Sequence, residues 1–303
     1  MKISIIIPNY NGLLLLKKNL PKVIAGSEDA EIIIVDDAST DGSADWLKIN
    51  YPKIRLIRNV INEGFASTVN IGVTASTSEL VLLLNSDVVP QSHFLAPLIY
   101  HFNSPTVFAV GALQKTDDMK SKNIQGRGIG AFKKGFLTHA RGNPEKTNTL
   151  WVFGGAGMFR KDIWEKLGGV EKIYNPFYWE DIDLSYRALK SGYNLIFEPK
   201  SIVIHQMEKS SIRTNYNPDF IKTITYRNQI LFVWLNITDF RFILSHIFYL
   251  PIHIARSLLK FDWAFISGFM KAVCLLPEVI RKRRNHKQKF IKKDSEVLAP
   301  FIE

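Results

Sequence analysis

Residues 82–87 read Leu-Leu-Leu-Asn-Ser-Asp, and this stretch decides the fold because an apolar strand runs directly into a short acidic turn. The same arrangement occurs earlier, where the apolar run at residues 32–35 ends at Asp36 and Asp37. Continuous apolar strands are typical of a parallel sheet that helices cover on both faces. Ligands of such sheets bind beyond the carboxyl ends of the strands, so both acidic turns are predicted to line one binding edge.

Strands and helices alternate on either side of this stretch. Strands are predicted at residues 3–7, 32–35, 54–57, 80–84, 151–159, 195–197 and 202–204. Helices are predicted at residues 13–20, around 46–47, and at 65–75, 91–102, 161–167 and 181–190, with Pro21 ending or bending the first of them. The pattern predicts an α/β protein with a mostly parallel, Rossmann-like sheet flanked by helices.

Residues 114–149 differ in composition, because they are rich in Gly, Lys, Asn and Thr and weak in periodicity. They are predicted to form long loops with one hairpin. Two roles stay open for them, a functional lid or surface elaboration.

The positive charge of the chain lies mostly near its end. From Lys222 onward there are 14 Lys and Arg against 6 Asp and Glu, whereas the preceding residues hold 25 against 22. The pattern there changes to helices with broad apolar faces. We therefore predict a catalytic domain at residues 1–225 and a helical, basic C-terminal region at residues 226–303.

Aromatic side chains crowd this C-terminal region and are interrupted by single cations, a mixture that suits an anionic membrane surface better than nucleic acid. The longest stretch without charge, residues 242–255, is shorter than the roughly 20 residues needed to cross a bilayer. In-plane binding at the cytoplasmic face of the cell membrane is the favoured interpretation, and helices packed on the catalytic domain are the alternative. No nucleic-acid partner is expected. The one cysteine, Cys274, is expected to be buried, and the apolar run that ends at Pro8 is too short for a signal peptide.

Five motifs resemble, in order, those of the family 2 glycosyltransferases. They are residues 5–11 (IIIPNYN), 35–43 (VDDASTDGS), 85–87 (NSD), 154–157 (GGAG) and 179–183 (WEDID). The resemblance covers about residues 1–210 and is nearest to bacterial rhamnosyltransferase-like members, which build surface polysaccharides. It implies a GT-A fold, a nucleotide-sugar donor, a divalent metal and inversion at the anomeric carbon.

A carboxylate such as that of Asp37 is suited to accept the imide N–H of uracil or thymine. The resemblance places Pro8 and Tyr10 in the same base pocket, with Tyr10 stacking. The remaining predicted donor contacts are Asn11, Asp36, Asn62, Gly64, Asn70, Asn85, Ser86 and Asp87. Two structural alternatives stay open: Asp36 and Asp37 cap a turn and the next helix, and the loop around Gly64 is a plain helix cap.

Asn85 stands where the family has the first Asp of its DxD motif, which leaves Asp87 as the carboxylate predicted to hold a metal. Mg²⁺ and Mn²⁺ prefer oxygen ligands and bind through few carboxylates together with phosphates. His205, 24 residues after Asp181, resembles the family's metal-ligand histidine, and a structural His at a strand end is the alternative. Diphosphate contacts are predicted for the adjoining loop at Lys209, Ser210 and Arg213.

Asp181 is the predicted catalytic base, because inverting transfer needs a group that removes the proton of the attacking hydroxyl. It stands at a predicted helix start, where the helix dipole favours an ionised carboxylate. Glu180 is predicted to orient the acceptor or the donor sugar, and ordinary first-turn acids are the alternative. Gly154, Gly155 and Trp179 are predicted to line the acceptor or sugar site. Asp183 is predicted to pair with Arg187 one helical turn further on.

The sequence thus predicts an inverting, metal-dependent glycosyltransferase that moves a sugar from a UDP- or dTDP-sugar to a saccharide acceptor, plausibly lipid-linked, in cell-surface polysaccharide synthesis. Two alternatives remain, a nucleotide-sugar-binding scaffold without activity and a nucleotidyltransferase. The second is disfavoured because residues 8–12 are not a Gly-rich, basic triphosphate loop.

Overall fold

The computed structural model describes residues 1–27, 30–116, 124–206 and 216–303. The strands are β1 (Ile3–Asn9), β2 (Glu31–Asp36), β3 (Arg55–Arg58), β4 (Leu80–Leu84), β5 (Val88–Pro90), β6 (Val107–Thr116), β7 (Ile124–Gln125), β8 (Gly128–Lys133), β9 (Phe136–Arg141), β10 (Ala156–Arg160) and β11 (Asn194–His205). The helices are α1 (Leu13–Gly26), α2 (Ser43–Asn50), α3 (Phe65–Ala75), α4 (Leu95–Tyr100), α5 (Lys161–Leu167), α6 (Glu180–Lys190), α7 (Pro218–Asn236), α8 (Phe240–Leu259), α9 (Trp263–Cys274), α10 (Leu276–Lys287) and α11 (Asp294–Leu298).

One nine-stranded sheet organises the molecule, in the order β3-β2-β1-β4-β10-β6-β11-β5 with β7 paired to β6. Strands β1 to β4, β6 and β11 run in one direction, and β5, β7 and β10 run in the other. The predicted α/β class with a mostly parallel sheet is therefore confirmed. Because β1, β2 and β4 are neighbours, the acidic turns after β2 and β4 lie at the same edge.

Alternate residues along the central strands enter two separate hydrophobic clusters. Ile6, Ile33 and Leu83 belong to the cluster on one face of the sheet, whereas Ile5 and Leu82 belong to the cluster on the other. Both faces are covered by helices, which explains why these strands read as unbroken apolar runs.

The C-terminal helices share the core of the preceding residues. The ring of Phe232 on α7 lies 5.2 Å from Trp179 and 5.1 Å from Tyr186, measured between centroids. The Nζ atom of Lys190 lies 2.8 Å from Asp294 Oδ1, and both side chains are completely buried. The predicted boundary between residues 225 and 226 falls inside α7.

Local predictions departed from the structure at several places, and strand β6 was not predicted. Helix α1, predicted at residues 13–20 with Pro21 ending or bending it, continues through Pro21 to Gly26. The two strands expected at residues 195–204 are one strand with a register shift between Glu198 and Ile202, and residues 151–155 lie outside the strands. Cys274 is exposed, although it was expected to be buried. The predicted hairpin is present as β8 and β9.

Helix α8 has the length and composition of a membrane span. It has 20 residues, its mean hydropathy is 1.4, and only 6% of its apolar window is buried against the protein. The sequence expectation counted only the charge-free residues 242–255, whereas the helix also includes Arg241 and Arg256 near its ends. Length alone therefore does not distinguish a spanning helix from one that lies in the membrane plane.

Candidate active site

The acidic turn after β4 is held in place by backbone and amide contacts from three directions. Asn85 N donates to the Gly155 carbonyl at 3.1 Å, and Gln206 N donates to the Asp87 carbonyl at 2.9 Å. The buried Asn19 donates through Nδ2 to the Ser86 carbonyl at 2.8 Å. These contacts fix the backbone of the turn while leaving the side chains of Asn85 and Asp87 to face the cleft.

Three buried oxygens of this cleft lack a hydrogen-bond partner within the part of the chain that the structure describes. They are Asn85 Oδ1, Asp87 Oδ1 and Glu180 Oε2. A buried acceptor without a partner costs about 1–3 kcal/mol, so a cation or a hydroxyl-bearing molecule that contacted these atoms would be stabilised.

Asp87 and His205 are the protein groups that fit a divalent cation. Asp87 Oδ2 lies 3.4 Å from His205 Nε2, while Asp87 Oδ1 is unpaired. No group of three or more His, Cys, Asp and Glu gathers as a metal cage among residues 1–27, 30–116, 124–206 and 216–303. A cation held here would complete its shell with phosphate oxygens and water, which is how Mg²⁺ is usually bound.

Asp37 organises the loop that precedes α3. Its Oδ1 accepts hydrogen bonds from Asn59 Nδ2 at 2.8 Å and Glu63 N at 2.9 Å, and its Oδ2 accepts from Gly64 N at 2.9 Å. A carboxylate has about four acceptor positions, so one remains for a ligand. Gly64 has φ 84°, and a Cβ there would lie 2.9 Å from the Asn175 side chain, so only glycine fits this turn.

Two predicted donor residues have structural contacts instead. Asp36 is completely buried and accepts from Asn9 Nδ2 at 2.8 Å and Ser39 N at 3.2 Å. Asn70 donates to the Val170 carbonyl at 2.8 Å and accepts from Val170 N at 3.2 Å. These contacts join β2 to β1, and α3 to the segment that follows α5.

The turn after β1 forms the outer wall of the cleft. Asn11, at φ 50°, accepts from Thr40 N at 2.8 Å and so joins this turn to the loop that follows Asp37. Pro8 is half-buried, and Tyr10 is 40% exposed. Burial, followed by the charge of Tyr10, raises the pKa of Tyr216. Tyr10 is thus an accessible ring at the position predicted for base stacking.

Gly154 and Gly155 connect the acidic turn to the pair formed by Glu180 and Asp181. A Cβ on Gly155 would lie 2.6 Å from Asn85 Nδ2, so this glycine allows the turn to approach β10 closely. Gly154 N donates to Asp181 Oδ2 at 3.4 Å. The Phe65 ring, next to the Gly64 that Asp37 binds, lies 3.7 Å from the Cβ position of Gly154. Asp37, Asp87 and Asp181 therefore border one cleft.

Glu180 and Asp181 begin α6, as predicted. Burial, followed by the charge of Asp181, raises the pKa of the Glu180 carboxyl to about 8. Burial also raises the pKa of Asp181, although N–H groups of Ile182 and Gly154 oppose this shift. Ile182 N donates to Asp181 Oδ1 at 2.8 Å. Glu180 is therefore protonated near neutral pH, while the backbone N–H donors stabilise the charged form of Asp181.

The segment before the pair has unusual backbone geometry. Tyr178 and Trp179 have φ 71° and 77°, which is strained for aromatic residues. Trp179 is 4% exposed and packs against Phe232, so Tyr178, at 37%, is the outward-facing aromatic here. The burial of Trp179 does not support the prediction that its ring lines the acceptor or sugar site.

Asn228 on α7 holds that strained segment. Its Nδ2 donates to the carbonyls of Tyr174 at 2.8 Å and of Phe177 and Tyr178 at 2.9 Å. The neighbouring Arg227 donates to the Tyr174 carbonyl at 3.2 Å and also to that of Asn175. A role for Asn228 is not predicted from the sequence. The helix that carries it contains no motif, and nothing in it indicates a contact with a residue 50 positions earlier.

Two further predictions concern residues around the pair. Asp183 Oδ2 lies 2.7 Å from Arg187 Nε in a completely buried ion pair, which confirms the predicted i, i+4 contact. Asn62 lies in the loop that Asp37 holds, and its Oδ1 accepts from Gly64 N at 3.1 Å. Lys209, Ser210 and Arg213, predicted to touch diphosphate, lie outside the described residues.

Residues 4–168 match the family described as glycosyl transferase family 2. The chain is 25% identical, over 67% of its length, to the pre-mycofactocin glycosyltransferase of Mycobacterium tuberculosis and spans 42% of that protein. It is 22% identical to the O-antigen chain rhamnosyltransferase of Salmonella typhimurium, over 68% of this chain and 66% of that one. It is 23% identical to the N-acetylglucosaminyl-diphospho-decaprenol L-rhamnosyltransferase of Mycobacterium tuberculosis, over 63% and 71%.

Solved structures share the fold. GalNAc-T7, crystallised with UDP, GalNAc and Mn²⁺, superposes with a TM-score of 0.63 at 18% identity, over 78% of this chain and 48% of that one. The mannosyltransferase PcManGT of Pyrobaculum calidifontis, in complex with GDP-Man and Mn²⁺, superposes with a TM-score of 0.57 at 16% identity, over 99% and 83%. The GT-A fold that the sequence predicted is thereby confirmed. The chain belongs to glycosyl transferase family 2, and its relatives include rhamnosyltransferases.

Proposed function

We propose that the chain is an inverting glycosyltransferase that moves a sugar from a UDP- or dTDP-sugar to a saccharide acceptor in cell-surface polysaccharide or cell-wall synthesis. The observation that carries this proposal is the single cleft bordered by Asp37, Asp87 and Asp181, with unpaired buried oxygens directed into it. Rhamnosyltransferase relatives support this class of product.

In this proposal Asp181 removes the proton of the acceptor hydroxyl as that oxygen attacks the anomeric carbon. The bond from the sugar to the diphosphate breaks at the same time, and the nucleoside diphosphate leaves. Asp181 is suited to this task because burial raises its pKa, and because the N–H groups of Ile182 and Gly154 hold its carboxylate in position. Glu180, protonated near neutral pH, donates a hydrogen bond that orients a sugar hydroxyl.

The donor is held by two ends of the cleft. Asp37 offers its fourth acceptor position to the imide N–H of uracil or thymine, beside the exposed ring of Tyr10. Asp87 and His205 hold a divalent cation, Mg²⁺ or Mn²⁺, and Asn85 faces the same space. When bound, the cation supplies positive charge to the departing diphosphate.

The acceptor is lipid-linked in this proposal, and the enzyme works at the cytoplasmic face of the membrane. One relative is named for an acceptor on diphospho-decaprenol. The bare face of α8 supplies the membrane contact. That helix lies on the protein along its length, since Phe242 stacks on Phe132 at 4.6 Å and His253 bonds the Lys134 carbonyl at 3.0 Å. These contacts favour a helix in the membrane plane over one that spans it.

The test is transfer by the purified full chain, with UDP- and dTDP-sugars as donors and with and without Mn²⁺. Asp181→Asn should lower turnover about 10²- to 10⁴-fold, the usual contribution of a general base, while donor binding persists. Asp162→Asn, an exposed acid on α5, is the matched control. Undiminished transfer by Asp181→Asn would remove that residue from its role. Donor binding without turnover in the wild type would favour the scaffold alternative, and transfer of a nucleotidyl group would favour the nucleotidyltransferase.

A further inference from the structure

A groove with cationic walls lies between the β8–β9 turn, the first half of α7 and the corner between α8 and α9. Its volume is about 1100 Å³, which is more than the roughly 300–1000 Å³ of typical small-molecule pockets. Its lining includes five Lys and Arg side chains against two acids. The cations are Lys133, Lys134, Lys222, Arg256 and Lys260.

Most of these cations have no anionic partner among the residues that the structure describes. Lys222 pairs with Asp262 at 2.9 Å. Across the ranges that the structure describes, none of the side chains of Lys133, Lys134, Arg256 and Lys260 makes an ion pair. Like charges gathered in one groove repel each other, and an anion bound there would relieve that repulsion. The groove is therefore complementary to an anion with several negative oxygens.

The mouth of the groove is apolar. Phe261 and Trp263 line it and are 74% and 60% exposed, and Leu259 beside them is 82% exposed. Phe261 has φ 56°, a strained conformation for a bulky residue, and this conformation turns the chain between α8 and α9. The exposed face of α8, with Ile247 and Phe248, continues from the same corner. A ligand that combines an anionic head with a long apolar tail fits this arrangement.

Two elements connect the groove to the catalytic pair. On α7, Lys222 and Tyr226 line the groove, and Asn228 binds the segment before Glu180. Six residues of helix separate Lys222 from Asn228, about 9 Å. On β9, Thr138 lines the groove, and the ring of the next residue, His139, lies 5.3 Å from Trp179. On each of these two elements, groove-lining residues therefore lie within a few positions of residues that contact the segment before Glu180.

We propose that this groove binds the diphosphate of a polyisoprenoid-linked acceptor and directs its saccharide toward Asp181. The inference rests on the proposed function and adds the location of the acceptor's anionic group. The polyisoprenoid chain leaves past Phe261 and Trp263 into the membrane on which α8 lies. Saccharides without diphosphate lack this anchor, so they are poor acceptors.

The first experiment measures binding without catalysis. The full chain is sedimented with phosphatidylcholine vesicles that contain either undecaprenyl diphosphate or phosphatidylglycerol at matched negative charge. Lys133→Ala/Lys134→Ala should weaken binding to the undecaprenyl diphosphate vesicles about tenfold or more, since two charge-assisted contacts are lost. Lys48→Ala/Lys53→Ala removes equal charge at exposed positions elsewhere and should bind as the wild type does. An equal loss on both vesicle types would show a general anionic surface and overturn the proposal.

The second experiment separates this proposal from the proposed function. Transfer is measured with a saccharide on undecaprenyl diphosphate and with the same saccharide free. Lys133→Ala/Lys134→Ala should raise KM for the lipid-linked acceptor about tenfold, while the donor KM and the slow transfer to free saccharide stay unchanged. An unchanged KM for the lipid-linked acceptor would overturn the groove alone. Absence of any transfer by the wild type would overturn the proposed function, and the vesicle result would still decide whether the groove binds diphosphate.

Discussion

Glu180 lies next to Asp181 in one buried space, and its raised pKa gives the folded protein a specific pH dependence. Since the pKa of Glu180 is raised from 4.5 to about 8, the folded state binds more protons than the unfolded state between these values. This contribution to stability is complete below about pH 4.5 and is lost as the pH rises through about 8.

Glu180→Gln should remove that loss, because the amide is neutral at every pH. We expect the melting temperature of the variant to exceed that of the wild type by a few degrees at pH 8 and to match it near pH 5, since about 1 kcal/mol shifts Tm by roughly 2–4 °C in a chain of this size. Differential scanning calorimetry between pH 5 and 8.5 measures this. Glu165→Gln, an exposed glutamate on α5, should show no such crossover. Parallel curves for Glu180→Gln and the wild type would contradict the raised pKa of Glu180.

In the proposed function Asp87 supplies the negative charge that holds the cation, because Asn85 supplies none. Asp87→Asn should weaken Mn²⁺ binding in the presence of UDP by about tenfold or more, since one carboxylate contact to the cation is lost. Titration of the Mn²⁺ paramagnetic resonance signal reports binding without turnover. His205→Ala should weaken it less, because a neutral ligand is lost, and Asp162→Asn should leave it unchanged. Equal Mn²⁺ affinity in Asp87→Asn and the wild type would place the cation elsewhere.

The residues that the sequence could place in the site are those that follow a local rule. Asp37 and Asp87 each follow an apolar strand, and Asp181 starts a helix, so their positions could be predicted from neighbouring residues alone. Asn19 and Asn228 could not be predicted, because their partners lie 67 and 50 positions away along the chain. Asp36 fits the same local rule as Asp37, but its carboxylate is completely buried and bonds Asn9 and Ser39.

At the scale of elements, α7 is as much a part of the active site as α6. Asn228 is completely buried and its amide bridges three carbonyls of the segment that holds Tyr178 and Trp179 at positive φ. Asn228→Ala should lower the free energy of unfolding by about 2 kcal/mol, the cost of leaving buried carbonyls unpaired. It should also lower kcat more than it raises the donor KM, since the segment sets the position of Glu180 and Asp181.

Urea unfolding and steady-state kinetics check these two effects. Thr225→Ala is a suitable comparison, because that hydroxyl bonds only within its own helix, to the Ile221 carbonyl at 2.8 Å. Loss of stability with unchanged kcat in Asn228→Ala would mean that α7 supports the fold without positioning the catalytic pair.

Element types could be predicted where the apolar pattern is continuous, as in β1, β2 and β4. The antiparallel insertion of β10 between β4 and β6 could not, because strand order is fixed by contacts between residues 46 to 80 positions apart. The fusion of the last two predicted strands into β11 depends on a bulge next to β6, for which periodicity gives no signal. The sequence therefore determined the edge at which the site lies but left the order of the strands behind it open.

At the scale of the whole molecule, the protein has a donor cleft and, on α8 and α9, a bare apolar face. Phe240, Leu244, Ile247 and Phe248 on α8 are 71%, 48%, 61% and 65% exposed. The opposite side of the same helix is bound to the β8–β9 hairpin, where the buried His246 bonds the Gly135 carbonyl at 2.7 Å. A helix bound on one side and bare on the other suits the boundary between lipid and water, with Arg241 and Arg256 beside the headgroups.

Ile247→Ser/Phe248→Ser should therefore reduce retention of the full chain on vesicles containing phosphatidylglycerol by about tenfold or more, since burying each side chain contributes roughly 1.5–3 kcal/mol. Its melting temperature in the absence of lipid should stay near that of the wild type, because both side chains are already exposed to water. Ile49→Ser/Val60→Ser, which replaces two residues that are 79% and 97% exposed on the catalytic domain, should retain full binding. Equal retention of the two double variants would mean that α8 does not contact the membrane. A carbonate wash decides between the two membrane arrangements: release of the wild type at high pH agrees with a helix in the plane, and resistance to the wash would require α8 to span the bilayer.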